Sequence, residues 1–274
     1  MWLGEADLKG KTILLYGEQG LGDTIQFVRL VPEVAARGAR VVLEVQPALR
    51  NLVGAIEGVK LLVSRGDPLP VCDFHCPLMS LPLAFKTDLD TIPVSVPYLF
   101  SEPTRVALWH SHLGPKTRPR VGVVWSGNPG HKNDHNRSMN LSDFVADMPN
   151  EFDFYSLQTE IRSTDLSVLN ESSIRPMARY INDFTDTAAL CHLMDVVITV
   201  DTSLAHLSGA MGKPTWVLLP YVPDWRWLLN RNDSPWYDSV TLYRQDSDRS
   251  YAPVIRKVFS DLQNVFIQNE GRNS

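Results

Sequence analysis

The sequence predicts an α/β protein built from two doubly wound halves that face each other across a cleft. Three observations predict this. Short apolar runs alternate with helix-patterned segments before residue 91 and again after residue 120. A proline-rich stretch separates the two series. The glycine-bearing and polar motifs follow the apolar runs, and in open α/β sheets ligands bind beyond the carboxyl ends of the strands.

The elements follow in order. Residues 11–16 (KTILLY) hold an apolar run read as a buried strand. A glycine-bearing turn covers 17–22. Residues 23–36 carry Ile25, Phe27, Val28, Leu30, Val31, Val34 and Ala35, which predicts a helix kinked at Pro32 and stopped at Gly38. A strand is predicted at 40–45 (RVVLEV), a helix at 47–56, a strand at 60–63 and a fourth strand at 71–76. From 91 to 120, Pro93, Pro97, Pro103, Pro115 and Pro119 break the pattern, which reads as a linker. Alternation resumes with strands at 121–125 and 152–157, a helix at 183–193 and a strand at 196–200. A helix at 203–211, a turn at 212–214, a strand at 215–219 and a last helix at 254–266 complete the series. Residues 1–115 and 116–274 are the two expected domains.

Composition narrows the class. The chain has 274 residues, 44% of them hydrophobic and 21% charged, as in an ordinary globular protein. A net charge of −5 argues against a nucleic-acid partner. Cys72, Cys76 and Cys191 are too few and odd in number for a disulfide framework, which fits a reducing, cytoplasmic setting. No apolar run reaches the ~18 residues of a membrane span, and no signal peptide is visible. The abrupt start at Trp2-Leu3-Gly4 reads like a segment of something longer.

The chemistry concentrates in four places. In Val200-Asp201-Thr202-Ser203 a strand passes into a helix within about two residues, leaving free N–H groups and partial positive charge for an anion such as a diphosphate. Asp201, Thr202 and Ser203 are also good N-caps, though three in a row exceed what a cap needs. His206, one turn on, fits either a phosphate or sugar ligand or a core histidine. Gly17–Asp23 (GEQGLGD) opens the first helix with spacing that only loosely matches a dinucleotide fingerprint, with Glu44 near the acidic position. Its Asp23 fits a cleft base or an N-cap. Residues 126–140 (SGNPGHKNDHNRSMN) form a loop of the length that is often functional, ~12–15 residues. His131, Lys132, His135 and Arg137 could grip phosphate there, Arg137 best with its planar fork, with Asn128 and Lys132 in a donor phosphate loop; the alternative is a solvated, mobile loop. His131, Asp134 and His135 lack a fourth metal ligand, so no metal is expected. Gln158 or Glu160, ending a strand, could read a ribose or base hydroxyl, or be an ordinary polar strand end. Asp224-Trp225-Arg226-Trp227 and Pro235-Trp236-Tyr237 fit stacking on a base or sugar, or packing between domains. The D-x-D copies at 88–90 and 246–248 follow no clear strand, and Cys72 and Cys76 have no partner pair.

The combination of GLGDTIQFVRLVP (20–32), Arg137 after the long loop, and VDTSLAHLSGAMGKPTWVLL (200–219) resembles the heptosyltransferase-like glycosyltransferases of family 9. It is most similar to the branch found at the C-terminus of bacterial tetratricopeptide-repeat proteins. The resemblance covers nearly the whole chain. It implies a GT-B fold of two Rossmann-like domains with an interdomain cleft and a last helix packing back on the first domain. It implies inverting, metal-independent transfer from a nucleotide-diphosphate sugar, with no cofactor. By motif position, Asp23 matches the base, Arg137 a phosphate-binding lysine, and Asp201, Thr202, Ser203 and His206 the donor-binding stretch. Gln158 or Glu160 falls near the acid that binds the nucleoside. The family's histidine after the first aspartate is replaced in the region of Gln26 and Phe27, and its glycine after Asp-Thr is Ser203. These departures bear on the heptose donor and lipopolysaccharide acceptor more than on the fold. The acceptor is a glycan, a lipid-linked molecule met by peripheral membrane contact, or a protein. The rivals are a nucleotide-sugar epimerase or hydrolase on the same fold, and a degenerate nucleotide-sugar-binding or interaction module.

Overall fold

A computed structural model describes residues 1–93 and 97–267. Two sheets carry the fold, and every strand pair in each is parallel. The first sheet holds β1 (Thr12–Tyr16), β2 (Arg40–Val45), β3 (Val59–Ser64) and β4 (Phe74–Pro77), in the order β3-β2-β1-β4. The second holds β5 (Arg120–Val124), β6 (Asp153–Ser156), β7 (Arg175–Pro176), β8 (Val196–Val200), β9 (Thr215–Leu219) and β10 (Val240–Arg244), in the order β10-β9-β8-β5-β6-β7. This is the expected α/β, GT-B architecture. Central strands of parallel sheets are covered on both faces and read as unbroken apolar runs. β5, β8 and β9 obey this and are buried at every position.

The helices are α1 (Leu21–Phe27), α2 (Val31–Ala36), α3 (Leu81–Phe85), α4 (Pro103–Leu113), α5 (Asp134–Arg137), α6 (Leu141–Val145), α7 (Leu166–Glu171), α8 (Phe184–Leu193), α9 (Ser203–Ala210) and α10 (Ala252–Phe266). One apolar cluster runs through the first sheet and on to one face of the second. A second cluster fills the opposite face of the second sheet, under α6, α7 and α10.

Four expectations change. The helix at 23–36 is two helices, α1 and α2, joined by a 3-10 turn at Val28–Leu30. Pro32 therefore sits in the first turn of α2, where its missing N–H costs nothing. Residues 47–56 make a 3-10 turn at Pro47–Leu49 and then irregular turns, consistent with the poor helix formers Asn51 and Gly54. The expected linker contains α4, which Pro103 opens and Gly114 ends at φ +75°. α4 packs on α8, and Arg105 and Trp109 each donate at 3.0 Å to the buried Asp186. Finally, α10 buries Val254, Ile255, Val258, Phe259 and Leu262 in the cluster of the second sheet. The described part of the last helix thus packs on its own half, not on the first.

The halves meet where α1 packs against α9. A β-carbon at Gly22 would lie 2.8 Å from His206 Cδ2 and 3.5 Å from Ser203 Cα. His206 is held against Tyr237 and Trp227 and has no room to yield. We expect Gly22→Ala to cost about 1–3 kcal/mol in urea unfolding, the usual penalty of overpacking. Gly54→Ala, whose β-carbon would meet only ordinary contacts at 3.6 Å or beyond, is the control and should cost far less. Equal effects would show that the α1–α9 contact is slack.

Candidate functional site

β1 and β8 each end in a turn that opens a helix, and both helix starts border one cleft. The cleft is about 490 Å³. Leu21, Gly22 and Asp23 of α1 form one wall. Asp201, Thr202, Ser203 and His206 form the other, with Arg137, Asp224 and Arg226 at its sides. The resulting chemistry is mixed: two helix starts and two guanidinium groups favour an anion, while three carboxylates oppose it.

Asp23 sits at the start of α1. Its Oδ2 accepts from the Gly20 amide at 2.8 Å, so it is a cap as well as a cleft residue. Its Oδ1 accepts from Arg226 Nη2. Gln46 braces the turn before it, donating to Gln19 O at 2.8 Å and accepting from Thr24 Oγ1 at 2.9 Å.

Across the cleft, Thr202 caps α9 by accepting from the Leu204 amide at 3.3 Å. The backbone carbonyl of Asp201 accepts from Arg137 Nη1 at 2.9 Å. Burial pushes the Asp201 carboxyl up to about 6, against the pull of Trp227, Arg137 and Arg226; Asp224 adds to the rise. His206 is buried and stacks on Trp227, ring centroids 5.4 Å apart, with its Nδ1 2.9 Å from Tyr237 Oη. Burial, helped by Arg226 and Arg29, drives its pKa down to about 3, so the ring is neutral. His206 is thus a partnered core histidine whose edge still borders the cleft.

The predicted phosphate loop divides. Arg137 lies over Gly127, where a β-carbon would come within 2.5 Å of the guanidinium. The buried Asp134 holds it at 3.3 Å and also binds Ser138 Oγ at 2.9 Å and Arg162. Asp134 is therefore committed to these partners. Among the described residues no three His, Cys, Asp or Glu side chains converge. Asn128 reaches the cleft, its Oδ1 accepting from Gly130 N at 2.8 Å. Lys132 is exposed and borders neither this cleft nor the cavity beside it.

That adjoining cavity, about 400 Å³, shares Leu21, Asn128, Thr202 and Ser203 with the cleft. Val124, Leu157, Ile181 and Phe184 give it an apolar side. Gln158 borders it, but its amide is spent within the protein. Oε1 accepts from Trp125 N and Ser126 N at 3.2 and 3.1 Å, and Nε2 donates to Ser126 Oγ and Glu160 O at 2.7 Å. Gln158 shapes the turn after β5. Glu160 is exposed at the cavity and is the acid left to meet a ligand. Asp183 also borders this cavity, where it caps α8 and accepts from Asn51 of the first half at 2.9 Å.

Sequence reasoning missed Arg226. The Asp224–Trp227 segment was read for its aromatic rings. Trp225 is in fact 55% exposed, while Arg226 points inward at 7%. No local signal marked it, because its partner Asp23 lies 203 positions away.

No family model matches the chain. It is 24% identical over 293 aligned positions to Protein FlbA of Caulobacter vibrioides, covering 96% of this chain and 48% of that protein. The chain thus spans about half the length of the curated relative it matches. Among solved structures, the ADP-heptose lipopolysaccharide heptosyltransferase II of Escherichia coli superposes with a TM-score of 0.62 at 14% identity, covering 94% of this chain and 99% of that one. The family 9 glycosyl transferase of Veillonella parvula superposes with 0.61 at 11% identity, covering 88% of each. The chain therefore has the fold of the heptosyltransferases and family 9 glycosyltransferases.

The Asp201 carboxyl yields a test. Its ordinary pKa is 3.8 and it stands at about 6 in the folded chain. The folded state thus holds this proton more tightly than the unfolded one. The ionised carboxylate costs stability in full above pH 6, and the cost fades as pH falls toward 4. Asp201→Asn should raise the unfolding free energy by roughly 1–3 kcal/mol at pH 7.5 and by little at pH 4. A gain that does not depend on pH would show that burial of the charge is not its cause.

Proposed function

We propose that the chain is an inverting, metal-independent glycosyltransferase that moves a sugar from a nucleotide-diphosphate donor to a glycan, lipid-linked or protein acceptor. The observation that carries this is the meeting of two helix starts on one cleft, with a carboxylate on one side and an anion cradle on the other. The fold shared with the heptosyltransferases supports it. Residues 1–115 supply the acceptor side and 116–274 the donor side.

In this reading the diphosphate lies at the start of α9, met by the positive end of the helix dipole, by Thr202 and Ser203, and by Arg137. The nucleoside occupies the adjoining cavity, with Glu160 at its hydroxyls. Asp23 takes the proton of the acceptor hydroxyl. The acceptor oxygen then bonds to the anomeric carbon from the face opposite the diphosphate. The bond from that carbon to the diphosphate breaks, and its electron pair leaves on the nucleoside diphosphate. Arg137 and the helix start stabilise the growing charge, and need no reorganisation because the fold already holds them. Inversion follows from a single displacement.

The reading places the protein in the cytoplasm. Burial pushes the Cys76 and Cys191 thiols up to about 12, so they stay protonated and inert. Among the described residues no helix is long and apolar enough to cross a membrane.

Calorimetric titration with ADP, UDP, GDP and CDP tests the donor site. One nucleotide should bind selectively, and Arg137→Ala should weaken it about 10- to 100-fold, the loss of one charge-assisted contact. Asp23→Asn should leave that affinity intact and slow release of nucleotide from the matching nucleotide sugar, with water as acceptor, about 1,000-fold, the usual weight of a general base. If none of the four binds, the donor site is refuted. If the matching nucleotide binds but its sugar is never turned over, the chain is a nucleotide-sugar-binding module.

A further inference from the structure

We propose that Arg226 is the positioning residue for Asp23, and that it reaches across the cleft to set the carboxylate in place; this rests on the reading above. Asp23 and Gln26 lie three positions apart on α1 and so share one face. The Arg226 guanidinium grips both. Nε donates to Gln26 Oε1 at 2.7 Å, and Nη2 donates to Asp23 Oδ1. Nη1 donates to Asp224 Oδ1 at 2.8 Å. The guanidinium carbon sits 4.7 Å from the centre of the Trp225 ring and 5.9 Å from that of Phe27. The arginine is 7% exposed and each of its three nitrogens is in use.

This arrangement does more than tie two halves together. Among the described residues, Asp23 is the one carboxylate that the first half gives to the cleft wall. Two donors hold it, one on each oxygen: the Gly20 amide on Oδ2 and Arg226 on Oδ1. Together they fix the plane of the carboxylate and leave each oxygen a lone pair. A general base must be held to within about 0.5 Å of its productive pose by groups that are themselves locked. Gly20 alone fixes one oxygen and lets the carboxylate swing about it. Arg226 removes that freedom, and Gln26, Asp224 and the two rings remove the freedom of Arg226. A donor-phosphate role fits less well, because the nitrogens already serve α1 and Asp224.

The planar fork carries the argument, so lysine is the informative replacement: it keeps the charge and loses the simultaneous grip on Asp23 and Gln26. The experiment measures nucleotide release from the nucleotide sugar the chain binds, with water as acceptor. It compares wild type, Arg226→Lys, Arg226→Gln, Asp23→Asn and the double variant Asp23→Asn/Arg226→Gln, with nucleotide affinity and melting temperature measured beside each. Arg226→Lys should lower kcat about 100-fold, the cost of a misplaced catalytic group, with nucleotide affinity unchanged. Arg226→Gln should add no loss once Asp23 is gone, because the two act as a unit. If nucleotide affinity falls in step with rate, Arg226 is a donor ligand and the proposal is overturned. Full activity in Arg226→Lys, or additive losses in the double variant, overturns it as well. Should Arg226→Gln fail to fold, Arg226→Lys alone still decides between rate and affinity. A wild type that binds nucleotide but releases none from its sugar overturns the glycosyltransferase reading itself, and this inference with it.

Discussion

The site depends on how closely α1 can approach α9. Gly22 faces His206 with no space for a side chain between them. That contact brings the starts of two helices, each set by a different sheet, to the two walls of one cleft. Had α1 carried a side chain there, the helices would stand apart and Asp23 would no longer lie within reach of Arg226. The glycine therefore acts through what it leaves out.

The junction is held by buried cations, and this is unusual for a core. Arg29 is 6% exposed and has no carboxylate partner among its hydrogen bonds. It donates to Trp236 O at 2.7 Å and to Tyr98 Oη at 3.0 Å, and lies near the rings of Tyr98, Trp236 and Tyr237. Carbonyl oxygens and ring faces here replace a counter-ion. Tyr237 in turn meets His206. A chain of contacts thus runs from the first half through Arg29 and Tyr237 to the ring that borders the cleft. Burial, helped by the charge of Arg226 and Arg29, keeps His206 neutral, so the cleft gains its positive character from fixed guanidinium groups and helix starts, not from a titrating histidine.

The parts of this design that are local were legible in the sequence. β8 and α9 could be read from VVITVDTS because an apolar run, a cap and a helix start are all properties of neighbouring residues. Asp23 and Arg137 were legible for the same reason, one at a helix start and the other at the end of a polar loop. Lys132 looked as suitable as Arg137 within that loop. What separates them is Asp134, which grips Arg137 and turns it inward while Lys132 stays in solvent. Gln158 borders a cavity, but its amide is consumed by Trp125 and Ser126, residues of the turn after β5 that lie 33 and 32 positions away. α4 was hidden because prolines were weighed as breakers, although Pro103 occupies the one helical turn that tolerates it. Arg226 was out of reach altogether. Its partner Asp23 is 203 positions away, and nothing local to a Trp-Arg-Trp sequence distinguishes an inward arginine from an exposed one.

The same separation explains why the cleft can combine opposed charges. Asp23, Asp201 and Asp224 would together repel a diphosphate if all three stood free. They do not stand free. Arg226 holds Asp23 and Asp224 at once, and burial pushes the Asp201 carboxyl toward its neutral form. Two of the carboxylates are thus paired with Arg226, and the third, Asp201, takes up a proton more readily than a free carboxyl because it is buried. That leaves Arg137, whose contact with the protein across the cleft is a neutral carbonyl, as the cation least committed to a carboxylate on that wall. In the proposed reading a charge that is half-spent on Asp134 and lies beside the start of α9 is where the donor diphosphate gains most. In that reading the two guanidinium groups do different work: Arg226 closes the charge balance of the protein, and Arg137 is left open for the donor.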